Sequence, residues 1–392
     1  MSDKRGSFFG MCPKILYGAG CIAQVPDHIK GLGAGKVLVV TDGMIEKFGQ
    51  LDQLRGALDS ASLAYEIYAG VNSEPTNIHV DEGLKILKES NCDGVIGIGG
   101  GSPMDAAKAI AIMATNPRTI RDYEGRNVHL PNDKLPLACI TTTAGTSSEV
   151  SNSTIILDVD RTTKMLIKGE KIRADIAVCD PELTLSMPPA ITMATGLDAL
   201  AHAIEGFLSK QSQPLTDVFA QDAISLIYKN LPIAWREPGN IEARSNVMMG
   251  QLIAGMVMGN SSTASMHGMA RPLGAHFHIG HGLSIAIFMA DVMEFTLPAA
   301  PAKFKLIARS FGVDVAGMTD MEAGACAVEK IKELTRELKV PTLRELGVDR
   351  ERFMALLPDM LEDVSAANTH KVNPRVPTRE ELVELYSKAI NR

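Results

Sequence analysis

Four residues in the second half of the chain have the side-chain types and spacing of metal ligands. Asp198 and His202 are four positions apart in the segment GLDALAHAIEG, so that on a helix they share one face. His267 and His281 bound the segment HGMARPLGAHFHIGH, which holds four of the nine histidines. A carboxylate with three imidazoles suits a divalent catalytic ion and leaves a coordination position for substrate. Taken singly, each histidine is better explained by a role in the core or at the surface, and it is the crowding of four histidines into one segment that supports a metal site.

The other histidines have different expected places. His276 and His278 lie within the same segment but off the ligand spacing, and we expect them to line the pocket. The remaining histidines are expected at the surface: His28, His79, His129 and His370.

A glycine-rich turn in the first half predicts a site for a phosphate or pyrophosphate. In GIGGGSPMDAAK an apolar run ends in the turn Gly99, Gly100, Gly101 and Ser102, and a helix is predicted from the proline that follows. Glycine allows a phosphate to approach the backbone, and free N–H groups at a helix start favour an anion. The motif matches neither GxGxxG nor the P-loop pattern. A tight turn without a ligand is the alternative.

Two further polar positions follow predicted strands. The segment TTTAGTSSE, residues 141–149, offers hydroxyl groups for a ribose or phosphate at the end of an apolar strand, where ligands of open α/β sheets bind. Asp42 ends the strand KVLVVTD, where a carboxylate accepts from ribose hydroxyls and favours NAD over NADP. A solvated loop and an ordinary turn aspartate are the respective alternatives.

The elements that carry these residues change character near residue 185. Before it, β-branched runs alternate with amphipathic helical segments such as 77–89 and 105–114, which predicts βαβ units and a mostly parallel sheet. The predicted strands are 36–42, the region of 65–68, 94–99, 136–143, 153–158 and 175–180, with a hairpin over 154–167. After residue 185, apolar residues recur at helical spacing. We therefore expect an α/β domain at 1–185 and an all-helical domain at 186–392.

Composition excludes several classes of protein. The formal net charge is −7 and 45% of the residues are hydrophobic, as in a globular protein that lacks the basic face of a nucleic-acid binder. An acidic chain is also disfavoured at an anionic membrane surface, and we predict neither a transmembrane segment nor a signal peptide. The six cysteines form no CxxC pair, which indicates reduced thiols and a cytoplasmic protein.

The ordered set GGGSPMDAAK, TTTAGTSSEV, GLDALAHAIEG and HGMARPLGAHFHIGHG resembles the iron-containing, metal-dependent alcohol dehydrogenases over essentially the whole chain. The resemblance implies a Rossmann-like domain and a helical domain, with the active site in the cleft between them. It also implies a small alcohol or aldehyde as substrate, NAD as cofactor and Fe²⁺ as metal, with Zn²⁺ as the alternative ion. Because the helical domain is apolar, we also expect a homo-oligomer, in the form of a homodimer.

Residue by residue, the resemblance assigns the metal to Asp198, His202, His267 and His281. It assigns the cofactor to Gly99, Gly100, Gly101, Ser102, Thr142, Thr146 and Lys164, with Asp42 at the position associated with NAD preference. Asp105 and Lys108 match the family motif but are expected to be structural.

Arg271 departs from the family pattern, in which many members have a histidine near the substrate. An arginine stays charged and cannot relay a proton, so proton transfer would fall to water, the ribose hydroxyls, His276 or His278. A guanidinium in a substrate pocket suits a carboxylate, phosphate or sulfonate, and sulfoacetaldehyde with isethionate is one substrate hypothesis. The alternative is that Arg271 pairs with a nearby carboxylate or with the cofactor.

Other functions for the same architecture stay open at this point. A zinc glycerol-dehydrogenase-like enzyme and a dehydroquinate-synthase-like enzyme are the enzymatic alternatives. A non-catalytic binding or assembly module is the third, and it would be expected to lack metal ligands that this chain retains.

Overall fold

A computed structural model of the chain describes residues 9–10, 13–47 and 49–392. These residues divide into two compact units, with the division after Leu185. The first unit runs from Gly10 to Leu185, and the second comprises Ser186–Arg392 together with Phe9.

Within the described residues, the first unit contains nine strands in two sheets. A six-stranded sheet has the order β1-β9-β6-β4-β2-β3, and all of its strand pairs are parallel. A smaller sheet has the order β5-β8-β7, in which β7 and β8 form the predicted antiparallel pair. The strands are β1 (Lys14–Tyr17), β2 (Lys36–Val40), β3 (Ala64–Tyr68), β4 (Gly94–Gly99), β5 (Gly125–Arg126), β6 (Leu137–Thr141), β7 (Ser153–Asp158), β8 (Thr163–Lys168) and β9 (Ile176–Cys179).

Both faces of the large sheet are covered, as its apolar strands require. Alternate side chains of β2 belong to opposite apolar clusters: Leu38 and Val40 pack on one face, and Val37 and Val39 on the other. The covering helices are α1 (Val25–Lys30), α2 (Gly43–Lys47), α3 (Asp52–Ser60), α4 (Asn77–Glu89) and α5 (Gly101–Met113). The prediction of a mostly parallel α/β sheet is therefore confirmed.

The strand order creates a ligand-binding position at one edge of this sheet. The chain leaves β2 for β3 on one side, whereas it leaves β4 for β6 on the other. A crevice opens between neighbouring strands where the connections diverge in this way, at their carboxyl ends. The ends of β2 and β4 thus define the place where a ligand of this unit is expected.

The second unit is helical throughout its regular elements, which confirms the predicted fold class of this half. Its helices are α6 (Pro189–Leu208), α7 (Pro214–Arg236), α8 (Ile241–Asn260), α9 (Ser265–Phe277), α10 (His281–Thr296), α11 (Pro301–Ser310), α12 (Asp320–Glu337), α13 (Arg350–Ala367) and α14 (Arg379–Ile390). Among the described residues, one segment, His281–Ala299, is long and apolar enough by composition to cross a membrane, but 67% of its most apolar stretch is buried inside the structure, as in a core helix.

One histidine lies elsewhere than predicted. His370 is buried, with 8% of its surface exposed, in a short 3₁₀ turn over Thr369–Val372. This turn packs against α9 at Gly268, where an added Cβ would come within 2.9 Å of Thr369 Oγ1. The local sequence THKV is polar, so its burial follows from contacts with a distant helix.

Candidate metal centre and cofactor site

Helix α6 carries two of the candidate metal ligands. Asp198 and His202 stand among the alanine, leucine and isoleucine residues of this helix, and both are buried. Oδ1 of Asp198 lies 3.8 Å from Nε2 of His202, one helical turn further on. The spacing of four residues therefore places a carboxylate oxygen beside an imidazole nitrogen.

Helices α9 and α10 bring the other two candidate ligands to the same point. Nε2 of His267 lies 3.4 Å from Asp198 Oδ1, and Nε2 of His281, the first residue of α10, lies 3.8 Å from it. The rings of His202 and His267 stack with their centroids 4.6 Å apart. Two atoms that bind one tetrahedral ion at about 2.1 Å are roughly 3.4 Å apart. These separations therefore have the size that a metal site requires.

The four side chains differ in exposure. Asp198, His202 and His267 are 4%, 5% and 7% exposed, whereas His281 is 51% exposed. Catalytic metal sites keep one coordination position open, in contrast to closed structural sites. Three of the four side chains are therefore buried, and the cluster is accessible to solvent beside His281.

The carboxyl group at the centre of the cluster is ionised at neutral pH. Burial raises the pKa of the Asp198 carboxyl, but the imidazoles of His202, His281 and His267 outweigh burial and hold this pKa below its ordinary range. Burial lowers the pKa of His202 to about 4, so that its imidazole is neutral at pH 7. Burial also lowers the pKa of His267, but the carboxylates of Glu205 and Asp198 together raise it to about 9. A metal that binds at neutral pH therefore displaces a proton from this ring.

Two of the converging atoms are buried and have no hydrogen-bond partner among the described residues, namely Asp198 Oδ1 and His267 Nε2. Buried polar atoms in folded proteins nearly always have a partner. A single divalent ion would satisfy both atoms at once, and a donor set of one oxygen and three nitrogens accepts iron or zinc. The residues thus fit a catalytic transition metal.

Glu205 completes this cluster and was not predicted from the sequence. It lies on α6 and is buried, and its Oε2 is 2.6 Å from Nδ1 of His267. The available signal was its position, because residues 198, 202 and 205 fall on one stripe of a helix. A glutamate on that stripe is usual in many helices, so the sequence alone did not single it out.

The three side chains predicted around the substrate take different positions on α9. Arg271 is exposed and lies four residues after His267, so both point to the same side of the helix. His276 faces α13, where its Nε2 is 3.1 Å from Asp363 Oδ2. His278 is exposed and ends α9 in the left-handed conformation, with φ of 56°.

The first unit brings the glycine turn and the hydroxyl-rich loop together. β4 ends at Gly99, whose φ of +146° favours glycine, and α5 begins at Gly101. An added Cβ on Gly101 would lie 3.4 Å from Thr146 Cγ2, and Thr142 donates its N–H to the Gly99 carbonyl at 3.0 Å. Because the backbone N–H groups at the start of α5 face this turn, an anion can bind there.

A buried lysine connects helix α5, which follows the glycine turn, to the hydroxyl-rich loop. Lys108 of α5 is fully buried, and its Nζ donates at 2.9 Å to Ser148 Oγ, Ser151 Oγ and the Ser153 carbonyl. Asp105 accepts from Ser148 Oγ at 2.5 Å and stands 3.5 Å from the same ammonium. This network holds the loop against the helix and supports the structural role expected for both residues.

The two remaining cofactor candidates are engaged with the protein. Asp42 follows β2 at the sheet edge described above, where its Oδ1 accepts from the N–H groups of Met44 and Ile45. Lys164 lies on β8 of the smaller sheet, where its ammonium pairs with the Glu74 carboxylate. Through one oxygen, Asp42 therefore caps the turn that follows β2.

Comparisons with known proteins agree with this arrangement. Residues 12–181 match the family model "Iron-containing alcohol dehydrogenase", and residues 192–390 match "Fe-containing alcohol dehydrogenase family, C-terminal". The NAD-dependent methanol dehydrogenase of Bacillus methanolicus is 34% identical over 383 residues, which cover 97% of this chain and 99% of that protein.

Solved structures show the same relationship. A 1,3-propanediol oxidoreductase superposes with a TM-score of 0.95 at 32% identity, over 98% of this chain and 100% of that one. Sulfoacetaldehyde reductase from Bifidobacterium kashiwanohense, in complex with NAD⁺, has a TM-score of 0.88 at 29% identity, over 98% and 99% of the two chains. The chain belongs to the iron-containing alcohol dehydrogenase family and is an NAD-dependent alcohol oxidoreductase.

Proposed function

We propose that Asp198, His202, His267 and His281 hold one divalent ion, with Fe²⁺ as the ion and Zn²⁺ as the alternative. The observation that carries this proposal is the convergence of three imidazole nitrogens within 3.8 Å of one buried carboxylate oxygen. A divalent ion in such a site acts as a Lewis acid toward a substrate oxygen. The protein itself keeps the four ligands in place on packed helices and leaves one side open.

The cofactor assignment rests on the glycine turn. In the proposal, the backbone of Gly99, Gly100, Gly101 and Ser102 binds the pyrophosphate, and Thr142 and Thr146 contribute from the adjoining loop. The start of α5 supports this, because its free N–H groups favour a negative charge. Asp42 is proposed to accept from the adenosine ribose through the oxygen that does not cap α2, and Lys164 to contact the cofactor after exchange of its Glu74 partner.

The proposed substrate is a small aldehyde that carries an anionic group, such as sulfoacetaldehyde, with the corresponding alcohol as product. Arg271 supports this choice, because it follows His267 by one helical turn, and a guanidinium can bind a sulfonate or carboxylate through two N–H groups. A relative that reduces sulfoacetaldehyde shares 29% of its residues with this chain. Other relatives are named for neutral alcohols, and a panel of neutral and anionic aldehydes distinguishes the two substrate classes.

Proton transfer and assembly complete the proposal. His278 is the better placed of the two pocket histidines to exchange a proton with solvent, because His276 is paired with Asp363.

We also propose a homodimer in the cytoplasm. The five cysteines among the described residues are free, four of them buried, which suits a reducing compartment.

The experiment follows NADH absorbance with anaerobically purified, Fe²⁺-loaded protein and a panel of neutral and anionic aldehydes. Loss of a charge-assisted bidentate contact of about 1.5–3 kcal/mol is expected to raise the KM of R271A for sulfoacetaldehyde about tenfold or more. The KM for lactaldehyde should stay within about twofold, and R271K should be intermediate for the sulfonate. An unchanged sulfonate KM in R271A discards the anion-binding role but leaves the enzyme class intact. Metal-independent turnover contradicts the proposed metal centre.

A further inference from the structure

Glu205 belongs to the same stripe of α6 as two of the proposed ligands. It follows Asp198 by seven residues and His202 by three, which is close to two full turns and one turn of the helix. Its side chain is buried, with 2% exposure, and burial of a carboxylate without partners would be energetically costly. The hydrogen-bond partners of Glu205 therefore indicate its role.

Those partners are all at the start of α9. Oε1 of Glu205 accepts from the Met266 N–H at 2.5 Å, and Oε2 accepts from the Ala264 N–H at 2.8 Å. Oε2 also lies 2.6 Å from Nδ1 of His267. A carboxylate only accepts, so the ring must place a proton on Nδ1 and donate it to Glu205. The other nitrogen, Nε2, then faces Asp198 Oδ1 at 3.4 Å.

We infer that Glu205 is a positioning residue for the metal ligand His267. It selects the tautomer whose Nε2 is free to bind the ion, and it fixes the ring by holding the first turn of α9 at the same time. Residues that support a ligating histidine in this way commonly change metal affinity 10- to 100-fold when replaced. The inference rests on the proposed metal site, and the competing explanation is that Glu205 only caps α9.

The test measures the dissociation constant of Zn²⁺, as a redox-inert probe, by competition with a chromophoric chelator. The wild type is compared with E205Q and with D291N. Asp291 is a suitable control because it is a buried carboxylate of α10 that pairs with Lys388 at 2.9 Å and with Arg392. We expect E205Q to bind Zn²⁺ about 10- to 100-fold more weakly and D291N to bind within about twofold of wild type.

The outcomes distinguish a failure of the proposed metal site from a failure of the inference about Glu205. If the wild type itself does not bind Zn²⁺, the proposed function fails. If the wild type binds and folded E205Q binds within twofold of it, Glu205 is only a helix cap and the inference is overturned. Should E205Q not fold, NMR of ¹⁵N-histidine-labelled, Zn²⁺-loaded wild type decides, with His267 assigned through H267Q. A proton on Nδ1 supports the inference, and a proton on Nε2 overturns it.

Discussion

Two buried cationic side chains, Lys108 and Arg244, have specific hydrogen-bond partners. Lys108 donates to three oxygens, and Arg244 donates to Thr192 Oγ1 at 2.8 Å and to the Pro238 carbonyl at 3.1 Å. Such pairing is required because an unpaired buried charge costs several kcal/mol. Asp198 differs, since its Oδ1 has only imidazole nitrogens at 3.4–3.8 Å around it. That contrast is consistent with the proposal that Asp198 holds a cation.

Asp158 provides a test of residue-scale electrostatics away from the metal. Burial raises the pKa of its carboxyl, but hydrogen bonds from Arg161 and Arg121 outweigh burial and lower the pKa to about 2. A carboxyl whose folded pKa is depressed stabilises the fold above its unfolded pKa of about 4. This contribution is lost as pH falls through the folded value.

We therefore expect the free energy of unfolding to decline between about pH 4 and pH 2 more steeply in wild type than in D158N, which lacks this titration. Urea unfolding at a series of pH values measures the difference. D160N is the control, because Asp160 also pairs with Arg121 but is exposed at the surface. Parallel declines in wild type and D158N would show that this carboxylate does not contribute to acid sensitivity.

At the scale of elements, the proposed metal centre depends on how closely three helices approach. α6 carries two of the proposed ligands, and α9 and α10 carry one each. The contact between α6 and α10 is backbone against backbone at Gly282, next to His281. An added Cβ on Gly282 would lie 2.4 Å from the Ala194 carbonyl oxygen and 3.4 Å from Asp198 Cβ. Glycine at this position therefore permits the close approach of His281 to Asp198 that the proposed metal site requires.

The substitution G282A should separate α6 from α10 and move His281 away from Asp198. We expect a loss of about 1–3 kcal/mol in stability, as is typical of overpacking, and weaker binding of Zn²⁺. G259A is a matched control, because that glycine of α8 has open space where its Cβ would be. Chelator competition measures the Zn²⁺ affinity of both variants, and thermal unfolding measures their stability. Wild-type metal affinity in G282A would mean that the helices adjust without disturbing the ligands.

At the scale of the molecule, each compact unit carries one of the two proposed cofactor sites. The proposed metal ligands belong to Ser186–Arg392, and the glycine turn and hydroxyl loop belong to Gly10–Leu185. A ligand that binds only the folded state stabilises it by mass action. Metal and NAD should therefore each raise the stability of the unit that holds it.

Removal of the metal is thus expected to lower the unfolding temperature. At a free ion concentration 100 times the dissociation constant, the stabilisation is about 2.7 kcal/mol. Differential scanning calorimetry before and after chelation, with Zn²⁺ added back, measures this effect. The D198N variant should show a much smaller response to Zn²⁺, because it lacks the central carboxylate. An unchanged unfolding temperature after complete chelation would contradict a metal bound by the helical unit.

Much of the fold could be predicted because the sequence patterns that indicate its strands and helices involve residues close together in the chain. Apolar β-branched runs identified β2, β4, β6 and β9, and helical periodicity identified α4 over its full length. Short strands were missed: β1 has only the sequence KILY and is a strand because β9 pairs with it. Its residues carry too little pattern to be recognised without that partner.

The sequence by itself determined the residue types of the proposed ligands, the glycine turn and the helical spacing of Asp198 and His202, since these depend on residues a few positions apart. Only the tertiary structure decided that Glu205 meets His267, 62 positions away, and that His370 is buried. It likewise decided that Lys108 reaches Ser148 across 40 positions. The physical reason is that side-chain partners across such separations are chosen by the packing of whole helices and loops, which no local pattern encodes.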